Sequence, residues 1–390
     1  MTRLIVVTSL LAAIAAPGAA HQTPPPDPAS PEAVGARLRG HYQMIEPVAE
    51  RVHMIRQIEP FQVSVLGNIG VIEQSDGLVL FDAGGDPAAT RRALRMIATF
   101  SEKPVKAVII SHWHSDHFGG LGEIVDRWPS VRIIAHEQTL RNLTELGTGL
   151  PAQADLAGEP DTFGAILAGL APIRAAQAAA GPELGQGYED LIALSMMTGR
   201  DSEGARLVLP TETFTDRLVL DDAVAPIEVI HLGNGNTSGE ALAWLSRQRV
   251  LFTGDTVVGP FPYGIAAFPT SWRRVLGQID AMDYAVLVPG HGEMQRDHTY
   301  VRAMMADMDE LNAFVTPLAR AGVSLEDIRA RRPLARQAEA FAQGDAWKRK
   351  WFYRYWIDPL IGCMAAEARG ETIAYPVGSA TCTGPGSLGF

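Results

Sequence analysis

Cysteine is scarce in this chain. Only Cys363 and Cys382 occur among 390 residues, and neither lies in a Cys-x-x-Cys pair or beside a histidine. That argues against a thiol nucleophile. In an oxidising compartment the two would pair and tie down the C-terminal segment; otherwise both are buried thiols. Positive charge is also short: 33 basic residues, four of them lysine, stand against 44 acidic ones, for a net charge of −11. A nucleic-acid surface needs clustered cations, so that class of partner is excluded. After the first 20 residues no apolar run is long enough to span a bilayer. A Gly-x-Ser-x-Gly elbow is missing, Ser111 having no such frame, and no repeat of fixed period is found.

What is present fits a folded globular protein, with 47% apolar and 20% charged residues and length for one or two domains. Residues 1–20 read as a secretory signal peptide. Arg3 supplies the positive start, Leu4 to Ala16 an apolar stretch, and Gly18-Ala19-Ala20 a small-residue cleavage site. The expectation is a periplasmic or secreted protein cut after Ala20, with no membrane anchor after processing. Residues 21–45 read as a proline-rich linker.

From residue 46 to 296 the text alternates strands and helices. Strands are expected in 51–55, 61–73, 78–81, 106–111, 131–135, 217–220, 226–231, 241–245, 249–252 and 285–289. Helices are expected in 87–99, 121–128 and 271–281. Two β-rich runs flanked by helices predict an α/β fold, an αββα sandwich. An Ala-, Gly- and Leu-rich insertion over 147–209 has weak helical periodicity. Phe163, Ile166, Leu167 and Leu170 within it suit either a lid over an apolar substrate or an ordinary packed helix pair. Residues 297–390 read as a C-terminal helical extension. There Trp347, Trp351 and Tyr355 fall on one helical stripe, suited to core packing or a dimer contact.

The chemistry is concentrated in Ser111-His112-Trp113-His114-Ser115-Asp116-His117, directly after an apolar strand. His112 and His114 are two apart, so both imidazoles can face one way. Asp116 and His117 are adjacent and diverge, which suits a second ion beside the first. Asp255, in Thr253-Gly254-Asp255, and His291, in Pro289-Gly290-His291-Gly292, each follow another strand.

These motifs, with the Asp82-Ala83-Gly84-Gly85 turn, resemble the metallo-β-lactamase superfamily over about residues 46–295. The resemblance implies an αββα sandwich with a metal site at one edge. It implies His112 and His114 on a first zinc, Asp116, His117 and His291 on a second, and Asp255 between them. One position departs from the family pattern. The loop His231-Leu232-Gly233-Asn234-Gly235-Asn236-Thr237 carries Asn236 where the family places a third imidazole for the first ion. Three outcomes are open: Asn236 completes that site, His231 does so, or the first site is loose. His136 is expected to support a ligand from behind.

Imidazole and carboxylate ligands suit Zn2+, one or two ions, and hydrolysis of a small-molecule substrate by a metal-activated water that Asp116 orients. The expected bond is an ester, lactone, amide, or phosphate or sulfate ester. Two alternatives remain: hydrolysis of β-lactam antibiotics, and a non-catalytic metal- or ligand-binding protein on the same fold. The oligomeric state is open, a dimer being possible.

Overall fold

The computed structural model describes residues 42–371, except 60, 62–64, 146–161 and 266, and except the side chains of 162–169. The expected signal peptide, most of the linker, Cys382, and the side chains of Phe163, Ile166 and Leu167 lie outside the described residues.

Seven strands form the first sheet in chain order: β1 (Gln43–Ala49), β2 (Val52–Gln57), β3 (Ile69–Glu73), β4 (Leu78–Phe81), β5 (Val105–Ile110), β6 (Arg132–His136) and β7 (Glu212–Phe214). The pairings are antiparallel as far as β4 and parallel from β4 to β7. The second sheet holds β8 (Arg217–Leu220), β9 (Ile227–Ile230), β10 (Leu242–Leu245), β11 (Val250–Phe252) and β12 (Val286–Val288). Its β11–β12 pair is parallel.

The inner faces meet in one apolar layer. Val52, Met54, Ile72, Val79, Phe81 and Ile109 pack against Val229, Ala243, Val250, Phe252 and Val288. The opposite face of the first sheet, with Val71, Leu80, Val108 and Ile110, is covered by α1 (Pro87–Ile97), α2 (Ser115–Phe118), α3 (Leu121–Arg127) and α4 (Glu137–Glu145). Leu242, Leu251 and Leu287 on the far side of the second sheet are covered by α7 (Pro269–Asp280) and α8 (Thr299–Arg320). Every inter-strand position of β4 and β11 is buried, as expected of strands sandwiched between two layers.

Three elements differ from the sequence expectation. β1 starts at Gln43, inside the stretch read as linker; its pairing with β2 is irregular between Pro47 and Ala49, and Pro47 obscured the strand pattern. Strand β3 starts only at Ile69, and Leu66 to Asn68 form a buried connection rather than a strand. The three-residue β7 was not anticipated, being too short to show alternation.

The 147–209 segment contributes α5 (Thr162–Ala179) and α6 (Pro182–Asp201). Leu170 and Ile173 of α5 pack with Tyr188 and Leu191 of α6 in the same apolar cluster as α7 and α8. The C-terminal part adds α9 (Leu325–Ala330), α10 (Ala335–Ala342), α11 (Ala346–Trp351) and α12 (Asp358–Ala368), with a wide π-helical turn over Phe352–Ile357. Trp351 is buried, and Trp347 and Tyr355 pack partly buried against that cluster. Cys363 is fully buried on α12 and disulfide-bonded. Among the described residues no helix is long and apolar enough to cross a membrane.

Candidate metal centre

Both sheets bring the C-terminal ends of parallel strands to the same edge. β4 and β5 deliver Asp82 and Ser111-His112, while β11 and β12 deliver Asp255 and His291. Ligand-bearing loops gather where such parallel strand ends meet.

Asp82, fully buried with φ of 63°, turns the chain out of β4. Its carboxylate accepts from the Ser111 backbone N–H at 2.7 Å, from Ser111 Oγ at 2.8 Å and from His117 Nδ1 at 2.8 Å. That last bond fixes the His117 ring and turns Nε2 toward the centre. Ser111 Oγ gives its proton to Asp82, so it accepts from His112 Nδ1 at 2.9 Å, leaving His112 Nε2 bare. Asn68 holds the other side: its amide nitrogen donates to the Pro289 and Gly292 carbonyls at 2.9 and 3.0 Å, fixing the loop that carries His291. Asp82 and Asn68 were not singled out as site residues in the sequence. A polar residue closing an apolar strand, and an Asn buried amid apolar neighbours, were the available signals.

Among the described residues, two groups of side chains lie close enough to hold an ion: His112, His117 and Asp255, and Asp116, His117 and His291. In the second, Asp116 Oδ2 lies 3.1 Å from His291 Nε2 and 3.4 Å from His117 Nε2, and the two imidazole nitrogens are 3.2 Å apart. Two atoms bound at about 2.0–2.1 Å to a tetrahedral ion stand about 3.3–3.4 Å apart, so the triad has the spacing of a zinc ligand set. Asp255 Oδ1 lies 3.2 Å from His117 Nε2 and 3.3 Å from His291 Nε2, and Oδ2 lies 3.7 Å from His112 Nε2. Although buried, Asp255 Oδ1 makes no well-directed hydrogen bond. Buried carboxylate and imidazole atoms converging on one point suit a cation.

The electrostatics agree. Burial alone would raise the Asp116 and Asp255 carboxyls, but the imidazoles of His117 and His291 hold both below the carboxylate range. Burial would lower His291, yet Asp255 and Asp116 raise it to about 9. His117 is raised likewise by Asp255, Asp116 and Asp82. A field that draws protons here draws a divalent ion equally. His112 is pushed well below its ordinary value, first by burial, and stays in the neutral, ligating form.

The remaining candidates divide. His114 Nδ1 lies 2.8 Å from His112 Nε2, so these two rings are neighbours, though His114 belongs to neither triad. Asn236 is fully buried, and among the described residues neither its Oδ1 nor its Nδ2 has a hydrogen-bond partner. His231 is not brought to the centre. It stacks on His136 at 4.1 Å and donates from Nδ1 to the Glu240 carbonyl at 2.7 Å.

Residues 64–291, more than half of the chain, match the metallo-beta-lactamase superfamily. The chain belongs to that superfamily, one of metallo-hydrolases. Among curated proteins it is 27% identical to a linear primary-alkylsulfatase of a Pseudomonas species, over 57% of this chain and 41% of the relative. It is 34% identical to a hydroxyacylglutathione hydrolase of Prochlorococcus marinus, over 15% of this chain and 23% of that protein. The chain thus spans less than half the length of these relatives. Among solved structures, a stereoselective inverting sec-alkylsulfatase from Pseudomonas sp. shares the fold with a TM-score of 0.52 and 20% identity, over 74% of this chain and 45% of that one.

Proposed function

We propose that this protein is an exported, zinc-dependent hydrolase that attacks an ester-type bond with water, and that within this class a sulfate ester is the favoured substrate. The Asp116–His117–His291 triad carries the metal reading, because all three of its separations match the spacing of zinc ligands. His112, His114 and Asp255 would hold a second ion, with the unpartnered Asn236 as its further ligand. Bound there, zinc supplies a water of lowered pKa and polarises the oxygen of the scissile group.

The chain's own residues set what happens around that water. Asp82 and Asn68 hold His117 and the His291 loop in place. Asp116 is the open carboxylate of the centre: its side chain is 23% exposed, against 2% for Asp255 and none for Asp82. It is therefore the group that receives and orients an incoming water. The likeness to alkylsulfatases supports the sulfate ester among the bonds considered. Exit through a cleaved leader ending at Ala20, a catalytic unit over 46–296 and a helical extension over 297–390 belong to the same proposal.

The test is a panel of alkyl sulfates, 4-nitrophenyl phosphate, carboxylic esters, lactones and β-lactams, run on zinc-loaded protein and on Asp116→Ala. Sulfate-ester turnover that falls by about 100-fold or more in the variant is the expected result. Turnover of another bond overturns the substrate, and equal turnover in both proteins overturns the role of Asp116.

A further inference from the structure

Beside the triads, outside the family's motifs, stands Tyr263. Its ring lies 5.3 Å from that of His291, tilted by 55°, and the residue is half-buried at the edge of the centre. Within the described residues its hydroxyl makes no hydrogen bond and is not enclosed, so it is free to meet a ligand. Three contacts fix the ring. Phe261 lies 6.0 Å away and Tyr355 5.4 Å away, both edge-on, and the Tyr355 carbonyl accepts from the Gly264 N–H at 2.7 Å. Gly264 has no room for a side chain, since a Cβ there would come within 2.6 Å of the Trp356 carbonyl. The π-helical turn that carries Tyr355 is thus locked to the strand-end loop that carries Tyr263. Such turns cluster at functional sites.

We propose that Tyr263 anchors substrate, its hydroxyl donating a hydrogen bond to a peripheral oxygen of a tetrahedral oxyanion head held at the metal centre. This rests on the sulfate-ester reading and extends it. A carbonyl brings one acceptor oxygen, which the centre itself engages. A sulfate or phosphate ester brings three peripheral oxygens, more than the centre can face, and a rigid neutral donor beside His291 serves one that is left over. A tyrosine phenol ordinarily keeps its proton at neutral pH, so the hydroxyl can donate.

The experiment compares zinc-loaded protein with Tyr263→Phe, which keeps the ring and its packing. Zinc content is measured by mass spectrometry, and the affinity for inorganic sulfate and inorganic phosphate by titration calorimetry. Unchanged zinc with about 10-fold or more weaker anion binding in the variant is expected, and the tighter of the two anions in the parent identifies the ester. Unchanged zinc with anion affinities within about threefold overturns the inference and leaves the hydrolase reading intact. No zinc in the parent overturns both. A second readout needs no variant: sulfate added to the zinc-loaded parent should perturb tyrosine absorbance, and its failure to do so also overturns the anchoring role.

Discussion

Single residues decide whether the two triads can form. Gly290 precedes His291, and a Cβ there would lie 2.0 Å from Asp255 Oδ1 and 2.7 Å from the Gly254 backbone. Gly290→Ala should therefore displace the Asp255 carboxylate and lower zinc content while leaving the circular dichroism of the sheets intact. Metal content equal to the parent's would show that the loop yields instead. Asp82 acts through His117. Asp82→Asn replaces the acceptor of the 2.8 Å His117 Nδ1 bond and removes its charge, so zinc affinity should fall by about 10–100-fold in competition with a chelating dye. The contiguous His112–His117 motif and the strand-end residues Asp255 and His291 were readable in the sequence because ligand types repeat there at short spacing. Asp82 was readable only as part of a strand-end turn, not as the support of His117, and Asn68 not at all, since one polar residue that serves another has no pattern of its own.

At the scale of elements, helices and turns carry the site by their ends. Asp86 caps α1, its carboxylate accepting from the Ala89 N–H at 2.6 Å. Asp86→Ala should cost about 1 kcal/mol in denaturant unfolding. Glu240 links the Asn236 loop to the turn after β11, accepting from the Thr237 N–H at 2.7 Å and bonding Thr256 Oγ1. Burial raises its carboxyl from 4.5 to about 8, against the opposing pull of those bonds. The folded protein therefore keeps a proton that the unfolded chain releases above its ordinary pKa. Stability from this group is full below pH 4.5 and is lost as pH rises toward 8, by up to about 1.4 kcal/mol per pH unit. Glu240→Gln mimics the protonated form, so its stability relative to the parent should improve between pH 5 and 8. A difference independent of pH would contradict this.

Strand and helix positions were legible where apolar runs were bounded by turn residues, as in β4, β5 and α7. β1 was hidden by Pro47, and β7 was too short to alternate. The π-helical turn that sets Tyr355 against Tyr263 arises from packing of the C-terminal helices and has no local signature. Likewise, His231 stood in the right loop to be a ligand, but stacking on His136 places it elsewhere.

For the whole molecule, the αββα order followed from two β-rich runs flanked by helices, because each sheet must bury both faces. What packs on that sandwich could not be read from pattern. The helices α5 and α6 share the apolar cluster of the C-terminal helices, and Lys350 lies 4.5 Å over the Tyr188 ring, which ties the two regions together. An ion bound only by the folded state stabilises it, so chelation should lower the melting temperature, and added zinc should restore it. The most direct test is the zinc content of the chain from His21 onward, measured by mass spectrometry beside His117→Ala. It predicts about one to two zinc ions per chain in the parent and, in the variant, loss of the ion held by Asp116, His117 and His291. A parent without stoichiometric zinc, or a variant that keeps all of it, would contradict the account.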